Sequence, residues 1–327
     1  MADQNLEQLE KSLRDIRNRF VLLTSPHRPA LWNFCLKLTG SPWDAEDLLQ
    51  DTLLKAFSRM ALLGQAIDLK AYLFRMASNA WIDQKRHLKT SFGDLDSAEE
   101  TASDQATGFQ AESREAMEIL VSTLPPRQRV ILLLSDMFDF KAYEVAGMLD
   151  TSEGAVKAAL HRARGSLKKL QTETPELHRA RTGLTPPDPL ISRYIDAFNR
   201  RDPEALVALL DKEAVNEIVG DWEEHGTDMM KKSSLHYWSL EEGRIWVEYG
   251  TLFGKSVLFG FREHDGHPKV LAEILSLQTA EDRVVSQKWY FFCPELLEYA
   301  ASLLGVPAKT WGYTFDQAYN EDGTLKT

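Results

Sequence analysis

The stretch "EGAVKAALHRARGSLKKL", residues 153–170, holds five Lys or Arg (Lys157, Arg162, Arg164, Lys168, Lys169) against one acid, Glu153. The chain around it is acidic, with a formal net charge of -11 over 327 residues. Val156, Leu160 and Ala163 recur at three- and four-residue spacing, which predicts an amphipathic helix packing through those side chains. Lys157, His161, Arg162 and Arg164 then fall on other faces. Just upstream, "KAYEVAGMLDTS" predicts a short helix around Tyr143–Leu149 with Ala146 and Leu149 turned inward. Asp150-Thr151-Ser152 makes the turn, and Ser152 is a good N-cap for the second helix. Asp150 is among the residues that tolerate a left-handed position in a turn. The spacing is that of a helix-turn-helix whose basic second helix enters the DNA major groove. From this block alone, a solvated basic helix packed on its neighbour is the competing reading.

Charge is segregated along the chain. Residues 1–90 hold 13 Lys or Arg against 10 acids, residues 91–118 hold 1 against 8, residues 119–187 hold 10 against 7, and residues 188–327 hold 14 against 24. Two mildly basic blocks flank an acidic spacer and precede an acidic half, an arrangement suited to meeting a polyanion. "SFGDLDSAEETASDQATGFQAES" has no helical or strand period and reads as a flexible linker. "TETPELHRARTGLTPPDP", with four prolines, reads as a second. Before it the pattern is helical. After it come two helical patterns, "PLISRYIDAFNRR" and "PEALVALLDK", a third helical piece, "DMMKKSSLHYW", and β-branched, aromatic runs from "RIWVEYGTLF" to "RVVSQKWYFFC".

No apolar run approaches the roughly 20 residues of a membrane span, and the charged N-terminus lacks a signal-peptide centre. Cys35 and Cys293 are far apart in apolar runs and read as buried thiols rather than a disulfide or metal site. A cytoplasmic protein without metal or cofactor is expected.

"LPPRQRVILLL" with "YEVAGMLDTSEGAVKAALHRARGSLKKL" resembles region 4 of extracytoplasmic-function (ECF) sigma factors, of the sigma-70 family. The resemblance implies −35 contacts by Lys157 and Arg162, a phosphate contact by Arg164, and His161 on the same DNA-facing helix. "SPWDAEDLLQDTLLKAF" resembles region 2.2, which grips the β′ clamp helices of core RNA polymerase. Leu48, Leu49, Leu53 and Phe57 then face a core while Glu46, Asp47, Gln50 and Asp51 line an exposed acidic-polar face. Carboxylates at i and i+4 repel by a few tenths of a kcal/mol, which a basic partner offsets. "AYLFRMASNAWIDQKRHLKT" resembles regions 2.3 and 2.4, which melt the −10 element. Asn79, Asp83 and Arg86 share one helical face suited to an unstacked base, whereas Trp81 falls on the apolar side.

The later half resembles SnoaL-like domains, α+β cones related to ketosteroid isomerases and polyketide cyclases. Such a cone encloses an apolar pocket, for which Trp222, Trp238, Trp246 and Trp289 are candidates. A ligand pocket and a cone merely filled by aromatics stand as equal readings. Alternation leaves open which of Glu248, Glu263, Glu273 and Asp221 points inward, so no catalytic residue is assigned and no enzyme is expected.

The expected architecture is multidomain: an all-α region 2 domain (1–90), an acidic linker (91–116), an all-α region 4 domain (117–172), a Pro-rich linker (173–188), an α+β SnoaL-like domain (189–306) and a tail (307–327). The resemblance implies a factor that binds core polymerase through the β′ clamp helices and β flap and directs initiation at −10 and −35 elements. Its C-terminal domain would modulate that activity by docking on the sigma regions, or by sensing a small ligand, or would be catalytic. A DNA-binding regulator that never joins polymerase is the remaining alternative, and region 2 argues against it.

Overall fold

The computed structural model describes residues 2–60, 68–91, 124–170, 180–186 and 188–320. The acidic linker and most of the Pro-rich linker expected from the sequence lie outside the described residues. The chain forms two compact units, Met1–Leu177 and His178–Thr327. Among the described residues, no helix is long and apolar enough to cross a membrane.

The first unit is helical. Helices α1 (Ala2–Thr24), α2 (Arg28–Thr39), α3 (Pro42–Met60) and α4 (Leu69–Ser91) form one group, and α5 (Pro126–Asp136), α6 (Ala142–Met148) and α7 (Glu153–Leu170) form a second. Local chemistry sets the ends. Gly40 takes the left-handed conformation that stops α2, at φ 78°. Asp68 Oδ1 accepts from the Ala71 N–H at 3.0 Å and caps the start of α4. The sequence expectation for the α6–α7 turn holds in detail: Asp150 is left-handed, at φ 48°, and Ser152 Oγ accepts from the Ala155 N–H at 3.2 Å.

The two helical groups share a core. Phe74 of α4 is fully buried, and its ring lies 5.0 Å from Phe34, 5.1 Å from Phe138 and 5.2 Å from Phe140. Arg129 of α5 donates to the Leu38 carbonyl of α2 at 2.7 Å and lies 5.1 Å above the Trp81 ring. Burial lowers the Arg129 pKa to about 10. The sequence reading had these groups meeting only through a linker. It overlooked that Phe138 and Phe140, just beyond α5, are apolar side chains in need of a partner.

The second unit is α+β. A seven-stranded sheet has the order β1-β4-β5-β6-β7-β2-β3, with β1 (Arg181–Thr182), β2 (Leu210–Ile218), β3 (Trp222–His225), β4 (Ile245–Leu252), β5 (Lys255–His264), β6 (His267–Ala280) and β7 (Arg283–Trp289). All neighbours are antiparallel except β2 and β7. Helix α8 (Pro189–Asn199) packs Leu190, Tyr194, Ala197 and Phe198 onto Val247, Leu258 and Leu275 of the sheet. It is followed by α9 (Pro203–Leu209), α10 (Thr227–Lys232) and α11 (Ser234–Leu240), and later by α12 (Pro294–Leu304) and the short α13 (Phe315–Ala318).

Three expectations need correction here. "PEALVALLDK" is helical only to Leu209, and from Leu210 the chain enters β2, where Ala214, Asn216 and Ile218 alternate inward. The Pro-rich segment is not linker through residue 188, because Arg181 and Thr182 already pair with Thr251 and Gly250 as an edge strand of the sheet. Residues 307–320 are not a tail. The Leu271 N–H donates to the Pro307 carbonyl at 2.9 Å, Trp311 and Ala318 are buried, and both belong to an aromatic cluster with Phe291 and Phe292.

Replacing Phe74 with Ala removes the ring that three others contact. We expect a loss of about 3–5 kcal/mol, seen as a lower denaturant midpoint. Hydrogen exchange should assign the loosening to residues 28–148, with the sheet unit unchanged.

Candidate functional site

Helix α7 presents its basic side chains as one exposed surface. Val156, Ala159 and Ala163 are buried, while Lys157, His161, Arg162 and Arg164 are exposed. Two of the four already have partners. Lys157 pairs with Glu153 at 2.6 Å, and Arg164 makes a two-pronged contact with Asp136 of α5, at 2.6 and 3.0 Å. These hydrogen bonds and the Asp136 charge raise the Arg164 pKa. Arg164 thus fastens α7 to α5, and His161 and Arg162 are exposed on the same helix.

On α4, Asn79, Asp83 and Arg86 are exposed along one face, with Arg86 and Asp83 3.6 Å apart. Trp81 is buried, as its apolar neighbours predict.

On α3, Asp47 and Asp51 are exposed and Gln50 is half-buried. Glu46 departs from the expected acidic face. It is fully buried, and its Oε1 accepts from Gln50 Nε2 at 2.6 Å. The reason is the breadth of the buried arc: α3 packs between α2 and α4, so Ala45, Leu48, Leu49 and Thr52 go inside with it. Glu46 and burial together push up the pKa of Cys35, desolvation contributing most.

The second unit contains a partly open cavity of about 80 Å³. Trp222, Trp238 and Trp289 line it, with Tyr237, Phe315 and Tyr319. Trp246 does not. Its neighbours Ile245 and Val247 take the inward positions of β4, so the two-residue period turns Trp246 away, where its indole N–H donates to Glu248 Oε1 at 3.0 Å. Burial works against ionising Glu248. Hydrogen bonds from Lys269, Thr182 and Trp246 nonetheless hold its carboxyl below the usual range.

Two carboxylates line the cavity, Glu241 just after α11 and Glu273 of β6, the latter on the same face of β6 as Leu275. Gly260 opposite it on β5 is required, since a Cβ there would run into Glu273 Cγ. Burial first, then the charge of Glu241, push the Glu273 pKa up to about 8, against the opposing charges of Arg262 and Arg201. Glu241 forms an ion pair with Arg262 in which both side chains are more than nine-tenths buried, and it accepts from the Tyr319 hydroxyl at 3.0 Å. A second polar cluster lies behind the lining residues Asn216 and Ser234. Glu224 accepts from Asn216 Nδ2 at 2.8 Å and from the Ser234 hydroxyl and N–H at 2.6 and 3.0 Å. Only the residues' types in β6 and β3 hinted at these two clusters; their assembly needs the sheet order.

Residues 23–90 match the family described as Sigma-70 region 2, and residues 114–167 match Sigma-70, region 4. The chain is 33% identical over 234 residues to ECF RNA polymerase sigma factor SigG of Mycobacterium tuberculosis, a match spanning 62% of each chain. It is 30% identical over 152 residues to SigL of the same species, covering 45% of this chain and 85% of SigL. The crystal structure of the M. tuberculosis ECF sigma factor SigJ aligns with 82% of this chain and 95% of its own, at 19% identity and a TM-score of 0.35. The chain belongs to the ECF RNA polymerase sigma factors of the sigma-70 family.

The raised Glu273 pKa sets a pH dependence. A carboxyl that holds its proton more tightly folded than unfolded favours the fold fully below its ordinary pKa, and this contribution is lost as pH rises through the folded value. Stability of the sheet unit should therefore fall as pH rises from the ordinary carboxyl value of 4.5 to about 8. Glu273→Gln should flatten that slope in thermal unfolding followed across the same range. Parallel slopes in the two proteins would show that Glu273 is not the titrating group.

Proposed function

We propose that the chain joins core RNA polymerase and directs promoter-specific initiation, and that its α+β unit modulates this activity. The observation that carries the reading is the pairing, in one helical unit, of an exposed basic recognition helix with an exposed Asn79–Asp83–Arg86 face on α4. A regulator that merely bound duplex DNA would have no use for the second face. Base edges in the major groove are read by cationic and amide side chains, whereas melted strands are held by side chains that reach unstacked bases and phosphates. Asp47 and Asp51, four residues apart and exposed on α3, suit a basic polymerase surface such as the β′ clamp helices, and the region 4 group suits the β flap.

Reversing charge at Asp47 and Asp51 should weaken core binding in a pull-down while leaving the fold intact, because exposed helix positions tolerate substitution within about 0.5 kcal/mol. Arg162→Ala should cost about 1–3 kcal/mol of −35-dependent binding. Asn79→Ala should instead reduce permanganate reactivity near −10 with duplex affinity kept. Unchanged opening by that variant would remove the base-capture role.

The acidic composition of residues 188–327, 24 acids against 14 Lys or Arg, supports inhibition of DNA binding by the α+β unit in cis. A covalent tether makes even a weak contact significant. Run-off transcription with core polymerase should be stronger for residues 1–177 than for the full chain. A full chain at least as active as the shortened one would overturn inhibition in cis.

A further inference from the structure

We propose that α1 is a self-association surface: two copies of the chain pair antiparallel through Leu9, Leu13, Ile16 and Phe20, the acidic half of each helix lying against the basic half of the other. This goes beyond the polymerase reading and stands without it.

The outer face of α1 makes the case. Leu9, Leu13, Ile16 and Leu23 are each more than half exposed. With Phe20, which is half-buried, they recur at intervals of four, three, four and three residues. That is the seven-residue repeat of a seam between two helices. The described anchors of α1 lie at its C-terminal end, where Val21 and Thr24 are buried and the Phe20 ring lies 5.2 Å from Phe57 of α3. Every residue from Lys11 to Ile16 is exposed. A helical stretch without packing is marginal in water, and covering its apolar stripe is what stabilises it. The region 2 match begins at residue 23, so the promoter and polymerase surfaces described above do not account for this face.

Charge selects the occupant and its direction. Residues 2–10 hold three acids and no Lys or Arg, a net of -3, whereas residues 11–24 hold four Lys or Arg and one acid, a net of +3. The helix dipole favours that order, but only within the first and last turns, and Lys11 and Arg14 lie at mid-helix. An antiparallel second copy sets opposite charges together twice, whereas a parallel copy sets like against like. An anionic lipid surface, another partner for an amphipathic helix, would be repelled by the acidic half.

The anchorage gives the same direction. The 23 residues of α1 make a rod about 34 Å long, and each copy carries the rest of its helical unit at the C-terminal end. Antiparallel pairing places those bodies at opposite ends, while parallel pairing crowds them together. Leu13 then faces Ile16 of the other copy, and Leu9 faces its Phe20.

The test is sedimentation velocity of the full chain from about 1 to about 100 μM, because one helix pair falls in the weak, exchanging class of interfaces below about 1,200 Å². The dimer fraction should rise with concentration. Leu13→Gln with Ile16→Gln keeps good helix formers at exposed positions and removes the seam, so dimerisation should weaken at least about tenfold. Lys11→Glu with Arg14→Glu should weaken it several-fold at low salt, and the loss should shrink in about 1 M salt, where the Debye length is about 3 Å. Disulfide trapping reads the direction, since Cys35 and Cys293 are buried. Leu13→Cys mixed with Ile16→Cys should cross-link readily, and Leu9→Cys alone should not. A chain that stays monomeric at the top concentration, a dimer indifferent to Leu13→Gln with Ile16→Gln, or efficient self-cross-linking of Leu9→Cys would each overturn the proposal. A monomer that instead pellets with phosphatidylglycerol vesicles, or whose core polymerase binding falls in the Gln variant, would overturn it in favour of lipid or polymerase as the occupant.

Discussion

A buried guanidinium joins the halves of the helical unit. Arg129 reaches from α5 to the Leu38 carbonyl, in the last turn of α2. The last four carbonyls of a helix have no intrahelical partner and carry the negative end of its dipole. A cation is well placed there. Trp81 beneath the guanidinium supplies a second attraction, through the negative face of its ring. Desolvation still tells, as the lowered pKa shows. Buried charges of this kind are costly unless their partners are in place, so the contact fixes one arrangement rather than merely adding cohesion. The phenylalanine cluster around Phe74 has the opposite character, contributing area without direction. Together they set the spacing between the α4 face and the recognition helix.

Much of this was legible in the sequence where side chains repeat with a helical period. The turn at Asp150, the cap at Ser152 and the inward Val156 and Ala163 follow from local spacing, and the structure agrees. Glu46 was misread because charge suggests exposure, while burial on α3 is decided by how many neighbours the helix has. β2 was hidden by composition. Ala, Leu and Glu around residues 203–214 favour a helix, and only pairing with β3 and β7 holds the chain extended. Trp246 shows the limit of residue type: four tryptophans looked equivalent, and strand parity separates one from the other three.

In the α+β unit, the buried carboxylates Glu241 and Glu224 each sit in a network of polar groups. Glu241 gathers Arg262 and Tyr319, and the backbone carbonyl of the same residue accepts from Arg201. Glu224 gathers Asn216 and Ser234. Each network ties residues distant in sequence, so each also holds the sheet and helices in register around the cavity. The carboxyl of Glu273 sits beside the first network, and charge there is disfavoured by the same low dielectric that strengthens the ion pair.

The wall built by residues 307–320 has a consequence for the order in which the protein assembles. Phe315 donates its N–H to Asp221 Oδ2 at 2.6 Å, across 94 residues of sequence, and its ring packs on Trp222 at 5.5 Å. Synthesis runs from the N-terminus, and domains generally fold as they emerge. The helical unit and all seven strands therefore leave the ribosome before the segment that covers the aromatic interior. For that interval Trp222, Phe291 and Phe292 lack their final cover, so the nascent sheet exposes apolar surface until residues 307–320 arrive.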